Sequence, residues 1–498
     1  MVLAWTAAAQ AAPTGPVKVD GGTVVGVSEA GGDAFKGIPF AAPPVGALRW
    51  RAPQPVVPWS GTKTADTFGK ICMQLPQDRP AEGFIAKPEN MSEDCLVLNV
   101  YRPLIAKKLP VMVWIYGGGL TQGSSSLAVY DGTTFARGGV VLVSMNYRLG
   151  RFGYFAHPAL TKENADGGRL GNYGLMDQVA ALQWVKRNIA AFGGDPDNVT
   201  IFGESAGALS VDGLMISPVA RGLFHRAIAE SGYGRGQFVR LDQPSPTGEP
   251  SAEADGVAFA KSVGRDNADV AALRGIPAAD VVESATAPRR NIYFIRDGKT
   301  ITEDMWEAFR KNHEAPVPFM LGSNSMEGPG GDIERPALRA LVPQSADAAL
   351  MAAYGGKDGY LRDLSSDVTF TQQTRALARL HQKNGHPTYL YLFGVVSAED
   401  AAAGKGALHA SELRYVFGTL RNTVQPITDP AQEAASKSMN AMWRAFATKG
   451  DPSAVGETPW PKYDGHAVMH FTRNGAVHGP DKLEPRLDAL SSVIDPKS

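Results

Sequence analysis

The stretch that decides the fold is Val199-Thr200-Ile201-Phe202-Gly203-Glu204-Ser205-Ala206-Gly207. Its first four residues form a short apolar, β-branched run that predicts a strand. The Gly-x-Ser-x-Gly turn then leads into small residues that predict a helix. Glycines permit a strained turn with neighbouring chain segments close by, so the oxygen of Ser205 is expected to stand above a sheet edge. The alternative is an ordinary Gly/Ser loop, and the rest of the chain must decide between them.

Composition bounds the class of protein. The chain has 498 residues, 44% of them hydrophobic and 20% charged, with a net charge of −1. This balance favours a globular protein with a substantial core and gives no reason to expect nucleic acid or an anionic membrane as partner. No apolar run approaches the ~20 residues that span a bilayer. We expect one catalytic domain over residues 13–498.

Two features bear on the cellular compartment. Residues 1–12 are apolar and small and include Ala9-Gln10-Ala11. They fit a trimmed export signal without its basic region, or a frayed alanine-rich terminus. Two cysteines, Cys72 and Cys95, bracket a polar segment; they fit a loop-closing disulfide better than two buried thiols, and such a bond favours an oxidising compartment. The expectation is a periplasmic or secreted protein.

Continuous apolar runs predict further buried strands. They are Leu109–Ile115, Val140–Val143, Ala227–Ala229, Val317–Leu321 and Thr388–Phe393. Helical spacing follows over Met176–Phe192. Buried strands that alternate with helices indicate an α/β fold with a mainly parallel, twisted central sheet flanked by helices. Residues 234–315 lack such strands, and we interpret them as a helical, loop-rich insertion over the site.

The other parts of a serine hydrolase follow predicted strands. Acyl transfer needs a base, an acid that orients it, and donors for the oxyanion. Gly117-Gly118-Gly119 follows one strand and offers backbone N–H groups, to which Ala206 adds another. Glu327 is the candidate acid and His409 the candidate base. The order Ser, Glu, His is that of α/β-hydrolases.

Several longer motifs extend this pattern along the chain. They are Phe35-Lys36-Gly37-Ile38-Pro39-Phe40-Ala41, Glu93-Asp94-Cys95-Leu96-Val97-Leu98-Asn99-Val100, Asn146-Tyr147-Arg148-Leu149-Gly150, Phe192-Gly193-Gly194-Asp195-Pro196, and Tyr415-Val416-Phe417-Gly418 after His409. With these motifs the chain resembles the type-B carboxylesterase family, which includes cholinesterases and bacterial para-nitrobenzyl esterases. The resemblance implies an α/β-hydrolase fold and a carboxylic ester hydrolase.

The resemblance also assigns residues. It implies Ser205, Glu327 and His409 as the catalytic triad, and Gly118, Gly119 and Ala206 as the oxyanion hole. It further implies a disulfide between Cys72 and Cys95. The chain departs from many members at Tyr116, where His is common, and at Leu120, where Phe is common.

A second set of residues is implied around the triad. Glu204 would lie buried beside the nucleophile, and Ser231 would hydrogen-bond near the Glu327–His409 pair. Tyr233, Arg235 and Phe238 fall where the family lines its acyl pocket.

We hypothesise that Arg235 clamps a carboxylate on the acid half of the substrate, as in the tricarballylate esters of fumonisin. The alternative is that Arg235 points to solvent or pairs with a nearby acid.

The expected reaction passes through an acyl-serine, uses water and a small-molecule ester, and needs no metal or organic cofactor. It requires neutral His409, whose ordinary pKa is about 6.5, so the rate should fall in acid. Two other functions remain open: a lipase, thioesterase or amidase on the same triad, and a non-catalytic adhesion protein of this fold. The sequence does not predict the oligomeric state.

Overall fold

The computed structural model describes residues 12–29, 31–79, 84–235, 238–246, 248–283, 294–328, 330, 333–422 and 425–495. Within these ranges one large sheet contains twelve strands. They are β1 Ala12–Pro13, β2 Val27–Glu29, β3 Gly32–Pro39, β4 Val97–Arg102, β5 Leu109–Ile115, β6 Val141–Met145, β7 Gly194–Glu204, β8 Arg226–Glu230, β9 Phe319–Asn324, β10 Thr388–Phe393, β11 Ala467–Thr472 and β12 Gly475–Pro480.

The spatial order of the strands is β1-β2-β3-β4-β6-β5-β7-β8-β9-β10-β11-β12. Strands from β6 through β11 pair in parallel, and the strands at both edges pair antiparallel. The central strands are parallel because they are apolar on both faces and helices cover them. In β5, every residue from Pro110 to Ile115 is buried.

Helices connect and cover these strands. They are α1 Thr133–Arg137, α2 Gly150–Gly153, α3 Pro158–Glu163, α4 Tyr173–Asn188, α5 Ala206–Ile216, α6 Ala252–Ser262, α7 Val270–Arg274, α8 Ala278–Glu283, α9 Met305–Arg310, α10 Pro336–Leu341, α11 Asp347–Ala353, α12 Lys357–Ser366, α13 Gln372–Lys383, α14 Ala398–Ala402, α15 Leu413–Val416, α16 Pro430–Lys449 and α17 Glu484–Ile494. A π-helical turn, Asp367–Thr371, joins α12 to α13.

Smaller sheets lie outside the central one. Val17–Val19, Gly22–Val25 and Thr62–Thr64 form a three-stranded sheet, and the paired short strands are Ile71–Cys72 with Met91–Ser92, Gln77–Arg79 with Phe84–Ala86, Tyr154–Phe155 with Gly171–Asn172, and Val239–Arg240 with Ile295–Arg296.

The predicted fold class is confirmed, with changed element boundaries. The predicted strand at Val317–Leu321 begins instead at Phe319 and extends to Asn324, and Pro318 has no N–H for the ladder. The predicted helix over Met176–Phe192 begins earlier, at Tyr173, and ends at Asn188, after which a 3₁₀ turn reaches Phe192. The parallel strands carry their carboxyl ends to one edge, where ligands bind in such sheets.

The segment 234–315 holds α6 to α9 and the Val239–Arg240 and Ile295–Arg296 pair in its described part. Asp255, Val281 and Val282 from this segment line the cavity described below. Residues 236, 237, 247 and 284–293 lie outside the described residues. So do residues 1–11, on which the expected export signal falls.

The Cys72–Cys95 disulfide is present, with the two Cα atoms 5.1 Å apart. Both cysteines are buried. In the described part of the chain, no helix is both long and apolar enough to cross a bilayer.

Candidate active site

Ser205 occupies a strained turn between β7 and α5. Its φ is +57° and its ψ is −121°, a backbone conformation that is costly for a residue with a side chain. The two glycines of the motif make this turn possible: a Cβ on Gly207 would lie 2.0 Å from the carbonyl oxygen of Ile115, and one on Gly203 would lie 2.7 Å from the same oxygen. The chain of β5 therefore passes too close for any larger residue.

Glu327 and His409 meet at the same edge of the sheet. Nδ1 of His409 lies 2.6 Å from Oε2 of Glu327. Glu327 follows β9, and its Oε1 accepts hydrogen bonds from the hydroxyl of Ser231 at 2.6 Å and from the backbone N–H of Asn324 at 2.7 Å. The backbone N–H of His409 donates to the carbonyl of Glu327 at 3.0 Å. These bonds fix the carboxylate and leave one of its oxygens for the imidazole.

The other ring nitrogen faces a second carboxylate. Nε2 of His409 lies 3.1 Å from Oε1 of Glu204, the residue before Ser205. Ser205 and His409 line one cavity. Glu327 occupies Nδ1, so Nε2 is the ring nitrogen left to accept a proton from Ser205 within this cavity.

Burial sets the charge states of this group. Glu204 is 3% exposed, and its desolvation raises its pKa to about 7, against an opposing effect of His409. Desolvation alone would lower the pKa of His409, but the charges of Glu204 and Glu327 and the hydrogen bond to Glu327 outweigh it and raise that pKa above its ordinary value. An imidazolium formed during reaction is therefore strongly stabilised.

The predicted oxyanion donors lie beside Ser205. Gly118 and Gly119 adopt φ values of +107° and +64°. A Cβ on the preceding Gly117 would lie 3.1 Å from the Cβ of Ser205. Ala206 begins α5, so its N–H has no acceptor within the helix. The structure thus brings the glycine triplet, the helix N-terminus and Ser205 together.

A cavity of about 1430 Å³ opens above Ser205. Its lining mixes glycines, aliphatic and aromatic side chains and amides, among them Gln74, Gln122, Leu127, Tyr130 and Phe370. Six acidic, basic or imidazole side chains also line it in the described part of the chain: Arg151, Glu204, Asp255, Asp400, His409 and Arg414.

The three predicted acyl-pocket residues differ in their placement. Tyr233 lines the cavity, but Arg235 and Phe238 do not. Arg235 turns away, because its guanidinium pairs with Asp495 and lies 3.9 Å above the ring of Trp306. Phe238 is 4% exposed and packs edge-on against Phe294, with ring centroids 5.5 Å apart. The hypothesis that Arg235 clamps a substrate carboxylate is therefore wrong, because its guanidinium does not line the cavity and pairs with Asp495 instead.

Sequence reasoning missed three residues around the candidate triad. Phe370 packs against His409, with ring centroids 4.5 Å apart. Glu412 and Glu230 are fully buried near the triad, and burial raises the pKa of both, that of Glu230 to about 8. Glu412 lies three residues after the candidate base, which could have marked it, whereas nothing in the sequence marks Phe370.

Comparison with known proteins agrees with this geometry. A sequence model of the carboxylesterase family matches residues 13–332 and 356–484. The chain belongs to the carboxylesterase family. As a type-B carboxylesterase it is a serine hydrolase that acts on esters.

Two bacterial carboxylesterases illustrate the similarity. The para-nitrobenzyl esterase of Bacillus subtilis (strain 168) is 35% identical over 474 residues, which cover 89% of this chain and 91% of that protein. The fumonisin B1 esterase of Sphingopyxis macrogoltabida is 35% identical over 483 residues, covering 89% and 83%. A solved para-nitrobenzyl (PNB) esterase structure matches with a TM-score of 0.83 at 30% identity, over 95% of this chain and 99% of that one.

Proposed function

We propose that this carboxylesterase hydrolyses carboxylic esters through an acyl group on Ser205, with His409 as base and Glu327 as the acid that orients it. The observation that carries the proposal is the 2.6 Å contact between His409 Nδ1 and Glu327 Oε2 in the cavity that contains Ser205. A carboxylate on Nδ1 holds the tautomer in which Nε2 accepts a proton.

The proposed reaction has two halves. His409 removes the proton of Ser205 as its oxygen bonds to the ester carbonyl carbon, and it then gives that proton to the leaving alcohol. Water repeats the sequence and releases the acid with Ser205 restored. The N–H groups of Gly118, Gly119 and Ala206 would hold the negative oxygen formed in each half; removing one such donor costs about 10²–10³-fold in kcat.

Covalent labelling tests the nucleophile. A fluorophosphonate should add one phosphonyl group per chain, located on Ser205 by peptide mass spectrometry. Ser205→Ala should lose both the label and hydrolysis of a 4-nitrophenyl ester, whereas Ser262→Ala, at the end of α6, should keep both. Near-wild-type hydrolysis by Ser205→Ala would refute the proposal.

We further propose that the acid half of the preferred ester carries a free carboxylate. The relative named a fumonisin B1 esterase supports this proposal.

Arg414, rather than Arg235, is the cation that could bind such a carboxylate in the cavity. The other charged side chains of the cavity wall have partners of opposite charge: Asp255 lies 4.0 Å from Arg151, Asp400 accepts from Lys405 at 3.0 Å, and Glu204 faces His409. Arg414 also lines the cavity, and among the described residues no carboxylate lies within ion-pair distance of its guanidinium.

Paired substrates test this preference. Arg414→Gln should raise KM for mono-4-nitrophenyl glutarate by about 10-fold or more, because a charged hydrogen bond is lost. Its KM for neutral 4-nitrophenyl valerate should stay unchanged. Arg310→Gln is the matched control, since that exposed cation pairs with Glu307 and lies outside the cavity. An equal change on both esters would remove Arg414 as the recognition group.

The competing proposal is that the enzyme hydrolyses a bond other than an oxygen ester. A relative named a medium-chain fatty acyl-CoA hydrolase, from Anas platyrhynchos, is 34% identical over 491 residues, so a thioesterase is the competing proposal. Matched oxygen esters, thioesters and anilides of one acid would separate esterase, thioesterase and amidase; a higher kcat/KM for the thioester would favour the alternative.

We propose an oxidising compartment, periplasmic or extracellular, with the Cys72–Cys95 bond as its support. Thiol labelling of the protein in intact and in lysed cells of its source tests it. Two reactive thiols in the native population would contradict it.

A further inference from the structure

The catalytic imidazole has an aromatic neighbour that the proposed reaction does not use. The ring of Phe370 packs against His409 with centroids 4.5 Å apart and planes inclined by 32°. Phe370 also packs against the ring of Tyr233, with centroids 5.0 Å apart. Both aromatic residues line the cavity. Phe370 thus lies between the rings of His409 and Tyr233 in the wall of the cavity.

An irregular turn presents this ring. Phe370 belongs to the π-helical turn Asp367–Thr371 between α12 and α13. A π turn holds one more residue than an α turn, and one residue corresponds to about 100° of rotation around a helix axis. Asp367, Val368 and Thr371 of the turn are buried. The extra residue therefore lets the turn bury these side chains and still direct Phe370 at His409.

Buried charges anchor the turn from behind. Arg486 of α17 lies 2.6 Å from Asp363 and 2.9 Å from Asp367. Both aspartates are buried, and desolvation raises the pKa of Asp367 to about 6. This cluster fixes the start of the turn against the C-terminal helix.

Arg235 anchors the other end. Its backbone N–H donates to Oε1 of Gln373 at 2.9 Å, and its Nε donates to Oε1 of Gln372 at 3.1 Å. These two glutamines begin α13, directly after the π turn. The residue expected to touch substrate instead ties the segment that carries Tyr233 to the helix that follows Phe370.

We propose that Phe370 is a positioning residue for His409: it holds the imidazole plane between Glu327 and Ser205, keeps water from its face, and stabilises the imidazolium of the transition state. This inference rests on the proposed role of His409 as base. An aromatic face attracts a neighbouring cation, and exclusion of water strengthens the fields of the carboxylates that face the ring. Those carboxylates are Glu204, Glu327 and Glu412.

A positioning residue and an ordinary residue of the cavity wall differ in their effects on kinetics. A wall residue would change KM for bulky esters and leave the titration of His409 alone. Loss of a positioning ring lowers kcat for any ester, including a small one such as 4-nitrophenyl acetate. It also removes the aromatic face that attracts the imidazolium, so the pKa of His409 falls and the acid limb of the pH–rate profile moves to lower pH.

The decisive comparison is Phe370→Leu against Phe370→Tyr. Leucine keeps apolar bulk without a ring, and kcat for 4-nitrophenyl acetate should fall on the order of 10-fold, with KM within about twofold. Tyrosine keeps the ring and should restore both kcat and the acid limb. Phe238→Leu makes the same change in a buried aromatic outside the cavity and should leave the limb in place.

Further variants separate failure of this inference from failure of the proposed function. His409→Gln should abolish hydrolysis; if it does not, the triad is wrong. If His409→Gln is inactive while folded Phe370→Leu keeps the wild-type kcat and acid limb, the positioning role is overturned. The same holds if Phe370→Leu changes only KM. Asp367→Asn, which weakens the anchor of the turn, should move the limb in the same direction as Phe370→Leu, and an unmoved limb would overturn the anchoring role.

Discussion

Glu204 shares the imidazole with Glu327. The two carboxylates approach different nitrogens of His409, at 3.1 and 2.6 Å, and Glu204 adjoins Ser205 in sequence. In the proposed reaction, an ionised Glu204 attracts the imidazolium of the transition state, and it also disfavours the neutral imidazole that starts the reaction. The protonation of Glu204 therefore tunes how far His409 is available at a given pH.

Glu204→Gln should move the acid limb of kcat/KM to lower pH. The glutamine removes a negative charge that raises the pKa of His409, so the neutral imidazole persists into more acidic solution, by about one pH unit or more. The profile is measured with a 4-nitrophenyl ester from pH 4 to 9. Glu163→Gln, which changes a surface carboxylate paired with Arg274, is the control. A limb that stays in place would show that Glu204 is not ionised beside the base.

Asp212 is a buried acid whose carboxyl group should affect the dependence of stability on pH. It is 1% exposed on α5, and neither of its carboxyl oxygens has a hydrogen-bond partner among the described residues. Desolvation raises its pKa well above the ordinary value. A raised pKa in the folded state means that the contribution of this group to stability is greatest in acid and is lost as pH rises toward the folded pKa.

Asp212→Asn should therefore stabilise the protein increasingly from pH 5 to pH 8. Asparagine has nearly the same shape and does not titrate, so the difference in Tm between variant and wild type should widen with pH. Differential scanning calorimetry measures it. Asp197→Asn is the opposite control, because a hydrogen bond from Lys186 lowers the pKa of that exposed carboxyl. A constant difference for Asp212→Asn would contradict the buried acid.

For single residues, the sequence predicted which of them lie close together but not where each side chain points. Ser205, Glu327 and His409 could be selected because each follows a predicted strand, and parallel strands end at one edge. Arg235 could not be oriented, because its partner Asp495 lies far away in sequence. Phe370 gave no signal, because an aromatic residue in a helical region is ordinary core.

Among the elements, the disulfide-closed loop has the most direct link to the site. Met73, Gln74, Leu75, Pro76 and Gln77 follow Cys72 and line the cavity. Gln74 accepts a hydrogen bond from the backbone N–H of Gly123 at 2.9 Å, near the glycine triplet. One wall of the cavity is thus held by a covalent bond.

The double change Cys72→Ser with Cys95→Ser should lower stability by about 3 kcal/mol, since the unfolded chain regains the freedom of an open loop. KM should rise because the wall loosens, while kcat for a small ester changes less. Urea unfolding and steady-state kinetics measure the two effects. A variant with unchanged KM would mean that the loop keeps its place without the bond.

Elements with strong periodicity were the most predictable. Strands β5 and β10 occupy the predicted residues, because continuous apolar runs have few alternatives in a globular chain. The π turn could not be predicted, since the ion pairs beside it join Asp363 and Asp367 to Arg486, far away in sequence. Tertiary contacts decide such irregularities.

For the whole molecule, buried acids set the dependence of stability on pH. Burial raises the pKa of Glu204 to about 7 and that of Glu230 to about 8, and it holds the pKa values of Glu412 and Asp212 well above their ordinary range. The folded chain then binds more protons than the unfolded chain between about pH 4 and 8. The free energy of unfolding falls across that range as pH rises.

Tm should therefore be highest near pH 5 and decline toward pH 9. Carboxylates with lowered pKa values limit stability in acid. One of them is Asp429, whose hydrogen bond from Arg473 lowers its pKa to about 2. The stability that this group contributes is lost only as pH falls toward that value. Calorimetry at constant ionic strength tests the curve. A Tm that rises steadily from pH 5 to 9 would show that the buried acids are ionised at little cost.

The order of the site residues along the chain also has a consequence for biosynthesis. Ser205 leaves the ribosome roughly 200 residues before His409, a delay of about 10–40 s at ordinary elongation rates. Strand β10, which precedes His409, is bordered by β9 and β11, so the base reaches its place only after most of the polypeptide has been synthesised. On the proposed triad, a growing chain therefore exposes the nucleophile without its base, and hydrolysis begins as a single late event in the life of each molecule.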